Sequence, residues 1–92
     1  MNTTRVFPLA GRYYHQQPVV HHGTTLELRR EPDNRYDNDA IAVHVSGGDQ
    51  VGYVPRDIAH ELTPYIDSGL YTVENVCALR KPHLDQIMVG IT

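Results

Sequence analysis

The stretch Arg30-Glu31-Pro32-Asp33-Asn34-Arg35-Tyr36-Asp37-Asn38-Asp39-Ala40 gathers the side chains of this sequence best placed to do chemistry. Three aspartates and two asparagines surround one tyrosine, and the chain then runs into the apolar alternation that starts at Ile41. Clustered carboxylates can ligate a hard cation, accept a proton from a hydroxyl donor, or bond the nearby backbone. Calcium takes about six to eight oxygen ligands. Asp33, Asp37 and Asp39 lack the glycine and the terminal glutamate of an EF-hand loop, so a cation site is not expected. Asp33, Asn34, Asp37 and Asn38 can instead bond their own backbone and hold the loop in one shape. Tyr36 remains unexplained by that reading. An aromatic ring in a polar turn either tucks into the core or presents its face to a ligand.

Other chemistries find little support. Six histidines include the adjacent pair His21-His22, but neighbours on an extended segment point apart, and no Cys or His pair has zinc-finger spacing. Cys77, the single cysteine, is expected to be a buried, inert thiol. There is no nucleotide-binding loop, catalytic pair of acids or nucleophile elbow, so neither an enzyme nor a cofactor is expected. The net charge of −3 excludes a basic surface that tracks long nucleic acid. Seven of the eight cationic side chains are arginine, so any phosphate contact is short, local and suited to bidentate bonding.

These residues need a scaffold. At 92 residues, 40% hydrophobic and 21% charged, the chain reads as one globular domain, residues 1–92, with a thin core. No apolar run approaches the roughly 20 residues of a membrane span. The first residues lack the apolar stretch of a secretory signal, and one cysteine fits a reducing compartment, so a cytoplasmic location is expected, nucleoid or nuclear in a eukaryote. Thr4–Ala10, Thr24–Arg30, Asp39–Ser46, Gln50–Val54, Leu70–Leu79 and Gln86–Ile91 read as strands, with a hairpin turn at Ser46-Gly47-Gly48-Asp49. Pro8 predicts an edge position or a strand end. Between Pro55 and Asp67 the period changes: Ile58, Leu62 and Tyr65 or Ile66 form a helical stripe, Pro64 predicts a kink or two short helices, and Gly69 a stop. The expected fold is mainly β, a small six-stranded barrel of the OB-like or SH3-like kind with one short, Pro-interrupted helical insert. The polar loop then connects two strands at one end of it.

Taken in order, Arg30 to Val43, then Gln50-Val51-Gly52-Tyr53-Val54-Pro55-Arg56, then Leu62 to Gly69, resemble the HIRAN domain family, with matching gaps from Gly11 to about Val76. The resemblance implies a modified OB barrel that binds the 3′-hydroxyl end of single-stranded DNA. It implies stacking of the terminal base between Tyr36 and Tyr13, and acceptance of the 3′-hydroxyl by Asp37. Arg12 matches a phosphate-holding position and Arg56 a second basic one. Asn34 matches a backbone-contacting loop position, and Tyr53 and Val51 lie near the next nucleotides. Arg35 stands where relatives often carry proline, and Arg80 to Thr92 show no convincing match. The implied partners are single-stranded DNA 3′ ends and a helicase or nuclease, the expected state is a monomer, and the implied work lies in repair, replication or recombination. The rival reading is a protein-interaction module that grips a Pro-rich or basic peptide in a groove lined by Tyr13, Tyr14, Tyr36 and Tyr53. In both readings some of these tyrosines, Tyr14 first, are core.

Overall fold

The computed structural model describes residues 5–11, 20–69, 76–79 and 88–91. In chain order the elements are β1 (Arg5–Pro8), β2 (Leu26–Arg30), β3 (Ile41–Val45), β4 (Gln50–Tyr53), α1 (Arg56–Ser68), β5 (Cys77–Leu79) and β6 (Met88–Ile91). The first four sequence strands are present but shorter, because pairing ends where the turn residues begin, and the last two are present as β5 and β6. Parts of the expected last two strands, and Arg12, Tyr13 and Tyr14, lie outside the described residues.

Two antiparallel sheets form, ordered β1-β6-β5 and β2-β3-β4. The mainly β class and the single helix among the described residues therefore stand, but one closed six-stranded ladder does not. Strands of three to five residues offer too few consecutive pairs to carry a ladder round a corner. The sheets meet instead at two isolated bridges, Ala10 with Tyr53 and Thr25 with Cys77. Tight backbone bonds hold both corners: Ala10 N–H to Tyr53 O at 2.8 Å and Tyr53 N–H to Ala10 O at 2.7 Å at one, Leu26 N–H to Val76 O at 2.8 Å at the other.

The core fills the space between the sheets. Phe7, Leu26, Ile41, Val43, Val51, Ala78 and Val89 are buried, and Leu62 of the helix packs onto them. On β2 the alternation is as the sequence predicts, with Leu26 buried and Glu27 and Arg29 exposed. β3 is the central strand of its sheet, and Ile41, Ala42 and Val43 are all fully buried. Successive side chains on a strand point to opposite faces, so β3 is covered on both. The strand that follows the polar loop is thus the most rigid element available to anchor it.

α1 starts after Pro55, which sits at the N-cap with φ −52° and ψ 143° rather than at the first helical position. It runs through Pro64 as one 13-residue element rather than two short helices. Pro64 lies on the exposed side, where water can take the carbonyl that its missing N–H leaves unpaired. Gly69 ends the helix in the left-handed region at φ 74°, as its position in the sequence predicts. Ala59 and Leu62 face the core, and Ile58 and Ile66 flank them; Tyr65 is exposed.

The Ala10–Tyr53 corner depends on Gly52. A Cβ there would stand 2.7 Å from the Ala10 carbonyl oxygen and 2.8 Å from Leu9 Cγ. Backbone cannot retreat cheaply, so Gly52→Ala is expected to cost about 1–3 kcal/mol in urea unfolding. It is also expected to speed hydrogen exchange at Ala10 and Tyr53 ahead of β2 and β3.

Candidate functional site

The polar loop has no ladder of its own, and side chains supply its order. Asn34 works as the internal brace: its Oδ1 accepts from the Tyr36 N–H at 2.9 Å and the Asp37 N–H at 3.1 Å. Its Nδ2 donates to Glu31 Oε1 at 3.0 Å. Asp37 repeats the device one turn on, accepting the Asp39 N–H at Oδ1 over 2.9 Å. Backbone bonds from Glu31 N–H to Ala40 O and from Ala40 N–H to Asp37 O, each 3.0 Å, close the loop at its base.

Arg30, the last residue of β2, ties this base to the helix. Its Nη1 donates to Ala40 O at 2.9 Å and its Nη2 to Asn38 O at 3.1 Å, while Nε and Nη2 reach both oxygens of Asp67 at 2.9 and 3.0 Å. A planar guanidinium is the side chain that can serve two carbonyls and a bidentate carboxylate together. The hydrogen bond donated to Asp67 raises the Arg30 pKa above its usual range, against the opposing effect of partial burial. The same bond holds the Asp67 carboxyl below its ordinary value.

Further up the helix, Thr63 is buried and donates its hydroxyl to Asp39 O at 2.9 Å. His60 places Nε2 3.3 Å from Asp37 Oδ2 and Nδ1 3.1 Å from Asp39 Oδ2. Arg56 Nε lies 3.6 Å from Asp37 Oδ2. Positions 56, 60, 63 and 67 form one stripe along α1, so a single helix face meets Asp37, Asp39 and the Arg30 clamp at the loop base.

The result is an open cleft of about 480 Å³ lined by Ala10, Gly11, Asn34, Tyr36, Asp37, Ala40, Tyr53, Val54, Arg56 and Ala59. Five of the seven sequence-predicted site residues meet here: Asn34, Tyr36, Asp37, Tyr53 and Arg56. Arg12 and Tyr13 lie outside the described residues. Val51 is buried in the core instead. Tyr36 is 84% exposed, whereas the Asp37 side chain is only 15% exposed at the base of the cleft. Tyr53 forms part of the wall, its hydroxyl donating to Glu31 Oε1 at 2.9 Å. The Arg56 side chain is 76% exposed at the rim.

Asp33 takes no part in this arrangement. Among the described residues, Asp37, Asp39 and His60 bring potential metal-ligand atoms within 4.8 Å of one another. However, His60 turns a different ring nitrogen to each carboxylate, which suits mutual ion pairing better than a shared metal. His60 was not singled out from the sequence, where it looks like one more surface histidine. The available signal was its position one turn after Arg56 on a predicted helix. Arg30 was equally silent, because its partner Asp67 is 37 residues away.

A small two-sheet β domain with one helix and an Asx-braced cleft is thus the class in hand. The model of the HIRAN domain matches residues 1–90, and the chain belongs to that family. It is 42% identical over 65 residues to the helicase-like transcription factor of Mus musculus, covering 71% of this chain and 6% of that protein. It is 31% identical over 87 residues to a Fanconi-associated nuclease 1 homolog of Oryza sativa subsp. japonica, covering 90% of this chain and 9% of that protein. The crystal structure of the HIRAN domain of human HLTF matches with a TM-score of 0.82 at 25% identity, over 96% of this chain and 72% of that one. The chain therefore spans less than a tenth of the length of these curated relatives. The family match also reaches residue 90, past the Val76 limit at which the sequence motifs stop. Beyond that point the sequence is ordinary strand alternation, with no motif to mark membership.

The clamp has a testable weight. Arg30→Met leaves two loop carbonyls without a charged donor and is expected to cost about 2 kcal/mol in urea unfolding near neutral pH. Because the folded Asp67 pKa is lowered, its share of the link is present above the ordinary carboxylate value and lost as pH falls through the lowered one. The stability difference between wild type and variant is expected to narrow on that acid limb.

Proposed function

We propose that this HIRAN domain binds DNA and captures the free 3′-hydroxyl end of a single strand, without catalysing a reaction. One observation carries the reading. A loop of braced shape holds a ring almost fully in solvent at Tyr36, and the next residue, Asp37, sits as a largely covered carboxylate in the same cleft. The relatives' names, a helicase-like transcription factor and a nuclease homolog, support a DNA-related role.

An exposed aromatic face stacks on any base, for about 1–3 kcal/mol per base and without sequence preference. Asp37 supplies the discrimination. A carboxylate next to a nucleic-acid backbone is repulsive unless a donor is there, and a terminal 3′-hydroxyl is such a donor. Its two oxygens offer about four acceptor positions, and the contacts of the Asp39 N–H, Arg56 and His60 leave room for a hydroxyl. An internal nucleotide brings a phosphate to the same place, so the wrong ligand is penalised as well as the right one rewarded. Arg56 at the rim suits a phosphate upstream of the end. Tyr13 and Arg12 are assigned the second stacking face and a further phosphate contact by family resemblance. Asn34 supports the reading through loop shape, since its carboxamide oxygen serves two backbone N–H groups. The domain would present an end to a helicase or nuclease activity carried elsewhere.

Fluorescence anisotropy with one short oligonucleotide, ending in either a 3′-hydroxyl or a 3′-phosphate, tests this. Wild type is expected to prefer the hydroxyl end about tenfold or more, the size of one charged hydrogen bond. Asp37→Ala also releases Arg56 and His60, so total affinity can persist, and the expected result is loss of the preference. Tyr36→Ala is expected to weaken binding to the hydroxyl end by about 1–3 kcal/mol. Equal affinity of the wild type for the two ends would remove the role given to Asp37, and absence of binding to either would turn attention to a peptide groove.

A further inference from the structure

Resting on that reading, we propose that His60 is a positioning residue of the end-reading cleft, and that its protonation tightens the hold on a DNA end. The geometry asks for a cation. Both ring nitrogens face carboxylate oxygens, Nε2 toward Asp37 at 3.3 Å and Nδ1 toward Asp39 at 3.1 Å. A neutral imidazole gives the two carboxylates no countercharge from this side, whereas an imidazolium places one positive charge within ion-pair distance of both.

The charged surroundings point the same way. From the loop, Asp37 and Asp39 face His60; from its own helix, Arg56 shares the Asp37 oxygen at 3.6 Å. Asp57 lies in the first turn of α1, and Glu61 is occupied by Arg5 at 2.8 Å. Behind the loop base, Arg30 is held by Asp67. The two carboxylates at the cleft are thus balanced by Arg56 together with a charged His60, and one negative charge is left over when His60 is neutral. An arriving strand brings phosphates to this place. Binding of an anion and uptake of the proton therefore favour each other, each by the same factor.

Position matters as well as charge. Asp39 orients Asp37 through its N–H, and Thr63 holds the Asp39 carbonyl. His60 stands within ion-pair distance of the side chains of those same two aspartates from the helix. The ring is partly exposed, with 46% of its side-chain surface accessible, so proton exchange with solvent is open to it.

The experiment is anisotropy at constant ionic strength across the range in which histidines change charge, about pH 5 to 8. Wild type, His60→Gln and His60→Lys are each measured with oligonucleotides ending in a 3′-hydroxyl or a 3′-phosphate. Wild-type affinity for the hydroxyl end is expected to fall about fivefold from the acid to the alkaline limit, a modest coupling for one proton. His60→Gln should stay near the weaker limit throughout. His60→Lys, a permanent cation at this point, should hold the tighter value at the alkaline limit. Parallel pH curves for wild type and His60→Gln, with the hydroxyl preference intact, would overturn the role of His60 alone. A wild type without hydroxyl preference at any pH would remove the end-reading function, and this inference with it.

Discussion

The cleft exists because an acidic loop is laid along one face of a helix. Ten residues between β2 and β3 have no ladder to order them, and fixing each backbone costs about 1–2 kcal/mol of conformational entropy. The offset comes from a row on α1 that answers the loop position by position: Arg56 and His60 meet Asp37, His60 and Thr63 meet Asp39, and Asp67 takes the guanidinium of Arg30. The opposite stripe of the helix, Ala59 with Leu62 and its flanking isoleucines, packs on the core. Burial of the apolar stripe therefore fixes where the polar one stands. Site geometry is inherited from core packing.

This arrangement also explains how a chain of net charge −3 can offer a surface to nucleic acid. The acids nearest the cleft are engaged with the protein itself. Glu31 receives the Tyr53 hydroxyl and the Asn34 amide, Asp67 holds Arg30, and Asp37 and Asp39 face Arg56 and His60. Their field is largely answered at short range, and beyond about 10 Å at moderate salt the remainder is screened. What the rim presents is the Arg56 side chain and the Tyr36 ring. Bulk charge argues against long tracking contacts along a strand and says little about a footprint of two or three nucleotides.

Much of this was legible in the sequence wherever the signal is local. The alternation through Leu26 and Leu28, the Gly47-Gly48 hairpin, the helical stripe from Ile58 and the Gly69 stop each follow from periods and backbone preferences within a few residues. Family resemblance carried the loop and the Gln50–Arg56 motif. The corners were not legible, because Ala10 with Tyr53 and Thr25 with Cys77 are single bridges between distant segments, with no period to announce them. One closed barrel and two bridged sheets read alike strand by strand. Pro64 left a kink or a break open in the sequence, and the helix runs through it as one element on a side where water can take the abandoned carbonyl. Arg30 and His60 looked generic because their meaning lies in partners that only the packed helix supplies.

Asp37 carries two duties that constrain each other. Its Oδ1 shapes the loop through the Asp39 N–H, while Oδ2 faces the helix cations and the cleft. A carboxylate free of structural work would rotate, and its acceptor would not be held for the terminal hydroxyl proposed as its ligand. One wholly consumed by structure would have no acceptor left. Three contacts on about four acceptor positions lie between these limits, so the group is fixed yet unsaturated. Tyr36 shows the complementary solution. Its backbone N–H is tied to Asn34 while its ring is left in water, so the ring is held out by a loop that has little freedom to fold it away. The backbone of both neighbours is braced by Asn34 before any ligand arrives, which lowers the ordering cost of binding.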